Sequence, residues 1–140
     1  MAITSAVCTS FKEELLGGIH DLDTDVLKIA LFTSSASLDA TTTVYSSVNE
    51  VANGNGYTTG GETLAGATIT SSGTTAFVDF TDVTWSNATI TAAGALIYNS
   101  SQSDKAIAVL SFGGDKTSTD GDFTVQFPTA DASDAIIRLA

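Results

Sequence analysis

The sequence is poor in the residues on which most catalytic and metal sites depend. It contains one cysteine, Cys8, one histidine, His20, one arginine, Arg138, and one proline, Pro128. A single cysteine excludes a disulfide within the chain, so stability has to come from packing. A single histidine excludes a metal site built on several imidazoles and leaves little from which to assemble a catalytic triad. We therefore predict no catalytic, cofactor-binding or metal-binding residue, and no enzyme.

Positive charge and long apolar runs are scarce as well. Five Lys and Arg oppose sixteen Asp and Glu, which gives a net charge of −11. Such a negative field repels phosphate backbones and anionic lipids, so we predict neither nucleic acid nor membrane as a partner. No run approaches the roughly 18 apolar residues of a membrane span, and the first residues do not resemble a signal peptide. We expect a soluble protein that is made in the cytoplasm.

What the sequence does contain is a series of short apolar runs between residues 76 and 127, separated by Ser, Asn, Asp and Gly. In the last run Phe123, Val125 and Phe127 alternate with polar residues, which is the period of a strand. Two middle runs are apolar on both faces, as buried central strands are. We predict a β-meander over 76–127 and a mainly β protein, an antiparallel β-sandwich. Its length fits one domain, residues 1–140.

A single amphipathic helix is predicted over residues 4–18. Its apolar stripe recurs at three- and four-residue spacing, and its members are Cys8, Phe11, Leu15 and Ile19. The glycine pair at 17–18 ends the helix, because glycine adopts the left-handed conformation without strain. We expect the helix to pack on one side of the sheet. The alternative is an arm that docks on a neighbouring subunit.

A first strand is predicted over 26–33 and a last strand over 134–140. Between the first strand and the meander lies a long loop region, 34–75, in which Gly, Ser, Thr and Asn dominate. Residues 64–70 within it have the pattern of a further strand. A loop of this length in a compact domain usually has a function or is ordered by a neighbour. We therefore predict an intersubunit contact in this region.

The segment HDLDTD, residues 20–25, contains the first candidate for chemistry. Asp21, Asp23 and Asp25 alternate as the first three ligands of a calcium loop do. The sixth position is Val26, where such loops have glycine, and the twelfth is Phe32, where they have a bidentate glutamate. The pattern therefore favours an acidic turn between helix and strand, with a surface or helix-capping role for the adjacent histidine.

Two other carboxylate groups leave a carboxylate-only hydrolase open as a minor alternative: Asp79 with Asp82, and Asp115 with Asp120 and Asp122. The aromatic residues offer a second alternative. Trp85 is predicted to seal the edge of the sandwich with its N–H bonded to the backbone. Together with Tyr57 and Tyr98 it could instead form a platform for a sugar.

Four segments, taken in order, resemble a group of small virion structural proteins of tailed bacteriophages. They are SAVCTSFKEELLGGIHDLD, KIALFTSSASLDATTTVYSSVNEVANGNGYTTGGETL, DVTWSNATITAAGALIYN and KAIAVLSFGGDKTSTDGDFTVQFP. The resemblance covers nearly the whole chain and rests on the order and spacing of the segments, because none of them is a diagnostic motif.

The resemblance implies a protein of the virion, first of all a many-copy decoration or cement protein that stabilises the capsid shell through protein–protein contacts. Its partners would be the major capsid protein, copies of itself, or both, and we expect a homo-oligomer on the particle. Either region 34–75 or the N-terminal segment would straddle a seam between capsid subunits, so deletion of residues 46–61 should abolish shell binding and leave the fold intact. No cofactor is implied. One alternative is a tail, neck or fibre component that forms a ring or trimer. Another is a carbohydrate-recognition module for host attachment.

Overall fold

The computed structural model describes residues 2–128, 133 and 135–139. The protein is mainly β, with antiparallel sheets and one short N-terminal helix, as the apolar pattern predicts. In chain order the elements are β1 (Ala6–Val7), α1 (Thr9–Leu16), β2 (Leu27–Phe32), β3 (Glu62–Thr63), β4 (Thr68–Ser72), β5 (Thr75–Asp79), β6 (Val83–Asn99), β7 (Lys105–Val125) and β8 (Ile137–Leu139). A 3-10 turn, Ser100–Gln102, connects β6 to β7.

Five of the strands form the larger sheet, in the order β1-β7-β6-β2-β3. Its centre is the long hairpin of β6 and β7, in which Leu96 lies opposite Val109 and Trp85 lies opposite Phe123. The first strand of the prediction, 26–33, is β2, which pairs with the second half of β6. Strand β2, the second half of β6 and the first residues of β7 are almost completely buried, because both of their faces are apolar there.

The predicted meander over 76–127 differs from the observed strands in two ways. Its last three apolar runs form two long strands, because the Gly- and Asp-containing interruptions are accommodated as irregularities within the ladder. Residues 112–115, for example, lie opposite Ala93 alone, since Ser111 pairs with Gly94 and Lys116 with Ala92. The first run is β5, which belongs to the other sheet.

The smaller sheet has the order β4-β5-β8. Strands β4 and β5 form a hairpin in which Ser72 pairs with Thr75 across a two-residue turn. The strand expected at 64–70 corresponds to β4, Thr68–Ser72, which lies closer to the hairpin turn than predicted. The region 34–75 is therefore not a loop throughout, because it contains β3, β4 and the first residue of β5. Of the final strand predicted over 134–140, residues 134 and 140 lie outside the described residues.

The helix is shorter than the predicted 4–18, since Ala6–Val7 form β1 and the helix begins at Thr9. Ala6 pairs with Val109, and the N–H of Cys8 donates to Ile107 O at 2.9 Å. This pairing with β7 overrides the helical periodicity of the first residues. The helix ends where the glycines predict, with Gly18 in the left-handed region at φ 76°. Helix α1 packs against β7 of its own chain through the buried Phe11.

Candidate interaction surface

Glu50 connects the middle of region 34–75 to the tyrosines beneath it. Its carboxylate accepts hydrogen bonds from the hydroxyls of Tyr45 and Tyr57, each at 2.5 Å, and from the N–H of Gly60 at 2.7 Å. Hydrogen bonds to an ionised acceptor are the stronger kind in proteins. A single half-buried carboxylate thus holds three points of the segment together.

The three tyrosines extend this network into the sheet. The oxygen of Tyr57 accepts the backbone N–H of Leu31 in β2 at 2.9 Å. Tyr45 stacks on Tyr98 of β6 with ring centroids 4.4 Å apart, and the hydroxyl of Tyr98 donates to Gly60 O at 2.6 Å. Burial is the main cause that raises the pKa of Tyr45 and Tyr57, and the hydrogen bond to Glu50 raises it further. Burial raises the pKa of Tyr98 to about 12.

Two glycines allow the segment to lie directly on the strands. A side chain at Gly61 would place its Cβ 1.8 Å from the carbonyl oxygen of Ile29, and the residue has φ +81°. At Gly56, with φ +90°, a Cβ would lie 2.7 Å from the Cα of Ala88. Only glycine fits at such close approaches with this backbone conformation. The segment is therefore seated on β2 and β6.

The outer side of this seated segment is neutral and partly apolar. Val44 is 49% exposed and Val48 is 70% exposed, in a stretch otherwise filled with Ser, Thr and Asn. Among residues 34–75 only Asp39, Glu50 and Glu62 are charged. We call the exposed part of residues 41–60 the loop surface. It is an ordered, nearly uncharged surface on a strongly acidic chain, which suits contact with another protein.

The aromatic residues considered for sugar binding are not on this surface. Trp85, Tyr57 and Tyr98 are 2%, 2% and 3% exposed, so no ring face is open for a sugar to stack on. Trp85 instead packs edge-on against Phe123. Its buried Nε1 has no hydrogen-bond partner among the described residues. The prediction that this N–H bonds to the backbone is therefore wrong for the described part of the chain.

The aspartates of the segment 20–25 stabilise a turn. Asp21 Oδ1 accepts the backbone N–H groups of Asp23 and Thr24, and Asp25 Oδ2 accepts the N–H of Asp21. Hydrogen bonds from Thr24 and Asp23 lower the pKa of Asp21, and the bond from Asn99 lowers that of Asp25. No group of three or more potential metal ligands occurs in the part of the chain that the structure describes.

His20 is buried, contrary to the surface or capping role expected for it. Its Nε2 lies 3.0 Å from Glu14 Oε1, and its Nδ1 lies 3.0 Å from the amide nitrogen of Asn99. The same amide nitrogen donates to Asp25 Oδ2 at 2.7 Å, while Asn99 Oδ1 accepts the N–H of Ser101. An amide nitrogen can only donate, so Nδ1 of His20 accepts the hydrogen bond from Asn99. The imidazole N–H is then at Nε2, where it donates to Glu14. The network connects α1, the acidic turn and β6.

The sequence analysis predicted neither the buried network of Asn99 nor the role of Glu50. Asn99 is fully buried. Its position directly after the apolar run 95–98 was the sequence feature that could have indicated a buried, hydrogen-bonded side chain. Glu50 had a weaker signal, as a lone carboxylate among Ser, Val and Asn. Of the other aspartates considered for chemistry, Asp82 accepts the N–H of Phe127 at 2.8 Å, and Asp120 contacts Thr89.

No protein-family model, curated protein or solved structure matches this chain. The remaining candidates for function are therefore features of its own surface. A cavity of about 360 Å³ lies between Leu15 and Leu22 on one side and Ile69 and Val78 on the other. A second, of about 750 Å³, lies between α1 and β8. No helix in the described part of the chain is long and apolar enough to cross a membrane.

Proposed function

We propose that this protein is a many-copy structural protein of a phage virion that decorates or cements the capsid shell by binding, without catalysis. The loop surface is the observation on which the proposal rests. It is anchored to the core through Glu50 and yet presents neutral hydroxyls, amides and two exposed valines to the outside. The sequence resemblance to small virion structural proteins points to the same role.

The mechanism that we propose is mechanical. A segment already held in place by Glu50 and Tyr57 loses little conformational entropy when it contacts a partner. The scarcity of charge on the loop surface lets it approach an acidic neighbour without the repulsion that a net charge of −11 would otherwise cause. Weak contacts repeated over a particle add up through multivalency. The partners would be the major capsid protein and further copies of this chain, in the virion.

Substitution of Val48 tests this proposal more sharply than deletion of residues 46–61. The deletion would remove Glu50 and Tyr57, and with them the anchor of the segment, so loss of binding would not be separable from loss of the fold. Val48→Asp places a charge on the loop surface at a side chain that is 70% exposed. Binding of the purified variant to particles that lack the protein is measured by co-sedimentation.

We expect Val48→Asp to sediment with the particles less than the wild type does, at an unchanged melting temperature. The matched control is Thr124→Asp, which adds the same charge at an exposed position of β7. Equal binding by the wild type and both variants would reject the loop surface as the contact. The alternative is that the protein is a component of the tail, neck or fibres. In that case it would bind purified tails and not shells.

A further inference from the structure

Strand β4 is an edge strand of the smaller sheet and lacks the usual protection of such edges. All five of its residues, Thr68–Ser72, are exposed. Natural edge strands are commonly guarded by charged residues, prolines or bulges. None of the residues 63–78 is charged or proline, and the register of β4 on β5 runs without a bulge.

The hairpin geometry fixes which backbone groups of β4 point outward. Ser72 and Thr75 flank a two-residue turn that begins with Gly73 at φ 61°, as a type II′ turn requires. The residues flanking such a turn form a hydrogen-bonded pair, and hydrogen-bonded pairs alternate along an antiparallel ladder. Thr70 therefore bonds to β5, whereas the N–H and C=O of Ile69 and Ser71 face away from it. No described segment pairs with that side of the strand.

We propose that β4 pairs antiparallel with β4 of a second copy of this chain, across a two-fold axis at Thr70. Ile69 then lies opposite Ser71 of the second copy, and each of these pairs exchanges both of its backbone hydrogen bonds. This register overlaps the two strands over their whole length. The result is a continuous six-stranded sheet, β8-β5-β4 joined to its symmetry mate. The inference rests on the strand geometry and is independent of the proposed virion function.

The absence of charge on β4 removes the main electrostatic obstacle to pairing with a second copy. Two chains of net charge −11 repel each other, and β4 is where they can meet with no charged side chain in the contact. The other edges of the described sheets offer less: β1 and β3 are two residues long, β3 contains Glu62, and β8 contains Arg138. An antiparallel edge is also self-complementary, which makes the contact isologous and closed.

Side-chain packing supports the same pairing. Because side chains alternate along a strand, Ile69 shares a sheet face with Val78 and Ile137, its neighbours in register. That face borders the cavity of about 360 Å³, and Ile69 is 53% exposed there. In the paired sheet Ile69 of each copy extends the apolar face of the other. The contact is small, so the dimer is expected to be weak and concentration-dependent.

Sedimentation velocity of the purified chain over a range of concentrations tests the proposal. We expect a monomer–dimer equilibrium that Ser71→Pro abolishes, because proline removes an outward N–H that β5 does not use. Ser71→Ala keeps this N–H and should dimerise like the wild type. A wild type that stays monomeric, or a folded Ser71→Pro variant that still dimerises, overturns the proposal.

A second variant decides the question if Ser71→Pro fails to fold. In a Cys8→Ala background, Thr70→Cys places two thiols opposite each other at the two-fold axis, where oxidation should give a covalent dimer. Thr68→Cys is the control, because in the proposed register it lies opposite Ser72 and far from its own symmetry mate. Cross-linking at Thr68→Cys and not at Thr70→Cys, or at neither position, overturns the proposed pairing.

Discussion

The hydroxyl of Tyr57 lies 2.5 Å from the carboxylate of Glu50 and donates its proton to it, while the same oxygen accepts the N–H of Leu31. One phenol thus connects the segment that bears the loop surface to strand β2. The relationship explains how a segment rich in Gly, Ser and Thr is held on the sheet with few apolar anchors.

Removal of this hydroxyl should be costly. Tyr57→Phe leaves the buried N–H of Leu31 without an acceptor, and we expect the free energy of unfolding to fall by about 1–3 kcal/mol. Tyr45→Phe also removes one bond to Glu50 but orphans no buried donor, so its cost should be about 0.5–1.5 kcal/mol. Urea denaturation of both variants checks the order. A Tyr57→Phe variant as stable as Tyr45→Phe would contradict the account.

Asn99 should be essential as a donor. Asn99→Asp keeps an oxygen for the N–H of Ser101 but places a carboxylate 2.7 Å from Asp25 and opposite the unprotonated Nδ1 of His20. We expect a loss of about 2–5 kcal/mol at neutral pH. The deficit should shrink as the pH falls, because protonation of the introduced carboxyl restores a donor. Chemical denaturation at several pH values measures it, with the exposed Gln126→Glu as the control for added charge.

Gly61 should tolerate no side chain. Gly61→Ala combines a left-handed backbone with a contact of 1.8 Å to Ile29 O, and we expect it to cost about 2–5 kcal/mol. Gly17→Ala is the control, since its φ is −84° and its nearest contact is 3.6 Å. That variant should change stability by less than about 1 kcal/mol. Thermal unfolding followed by circular dichroism compares them, and equal effects would argue against the close approach.

Alkaline pH should destabilise the wild-type protein. Burial, with the nearby charges of Asp39 and Glu14, raises the pKa of Cys8 from its usual 9.0 to about 11. A raised pKa in the folded state gives stability that is complete below pH 9.0 and is lost as the pH rises through about 11. The buried tyrosines add to this loss above their usual pKa of 10.0. Urea denaturation from pH 7 to 11 should show it, with a shallower decline for Cys8→Ala.

The strands could be predicted from the sequence because their apolar residues follow a strand period. The runs that became β2, β6 and β7 were visible as such, and so was the glycine stop of α1 at Gly18. The beginning of the helix was not, since Ala6 and Val7 lie within the predicted helix but pair with β7. Local periodicity contains no information about which edge of a sheet needs a partner.

The segment that bears the proposed interaction surface could be selected from the sequence, but the contacts that hold it on the sheet could not. The length and composition of region 34–75 indicated a contact region, whereas the anchor depends on Glu50 meeting Tyr45, Tyr57 and Gly60 in space. The sequence does not show this convergence, because it depends on how the segment folds over β2 and β6. The same holds for the buried network around Asn99, where residues from three elements converge.

The central claim is that this chain is a structural component of a phage particle. Quantitative mass spectrometry of purified particles from its source tests it directly, with the major capsid protein as the internal standard. We predict a molar amount comparable to that of the major capsid protein, as expected for a decoration or cement protein. A small, fixed number of copies would place it in the tail, neck or fibres. Its absence from purified particles would contradict the account.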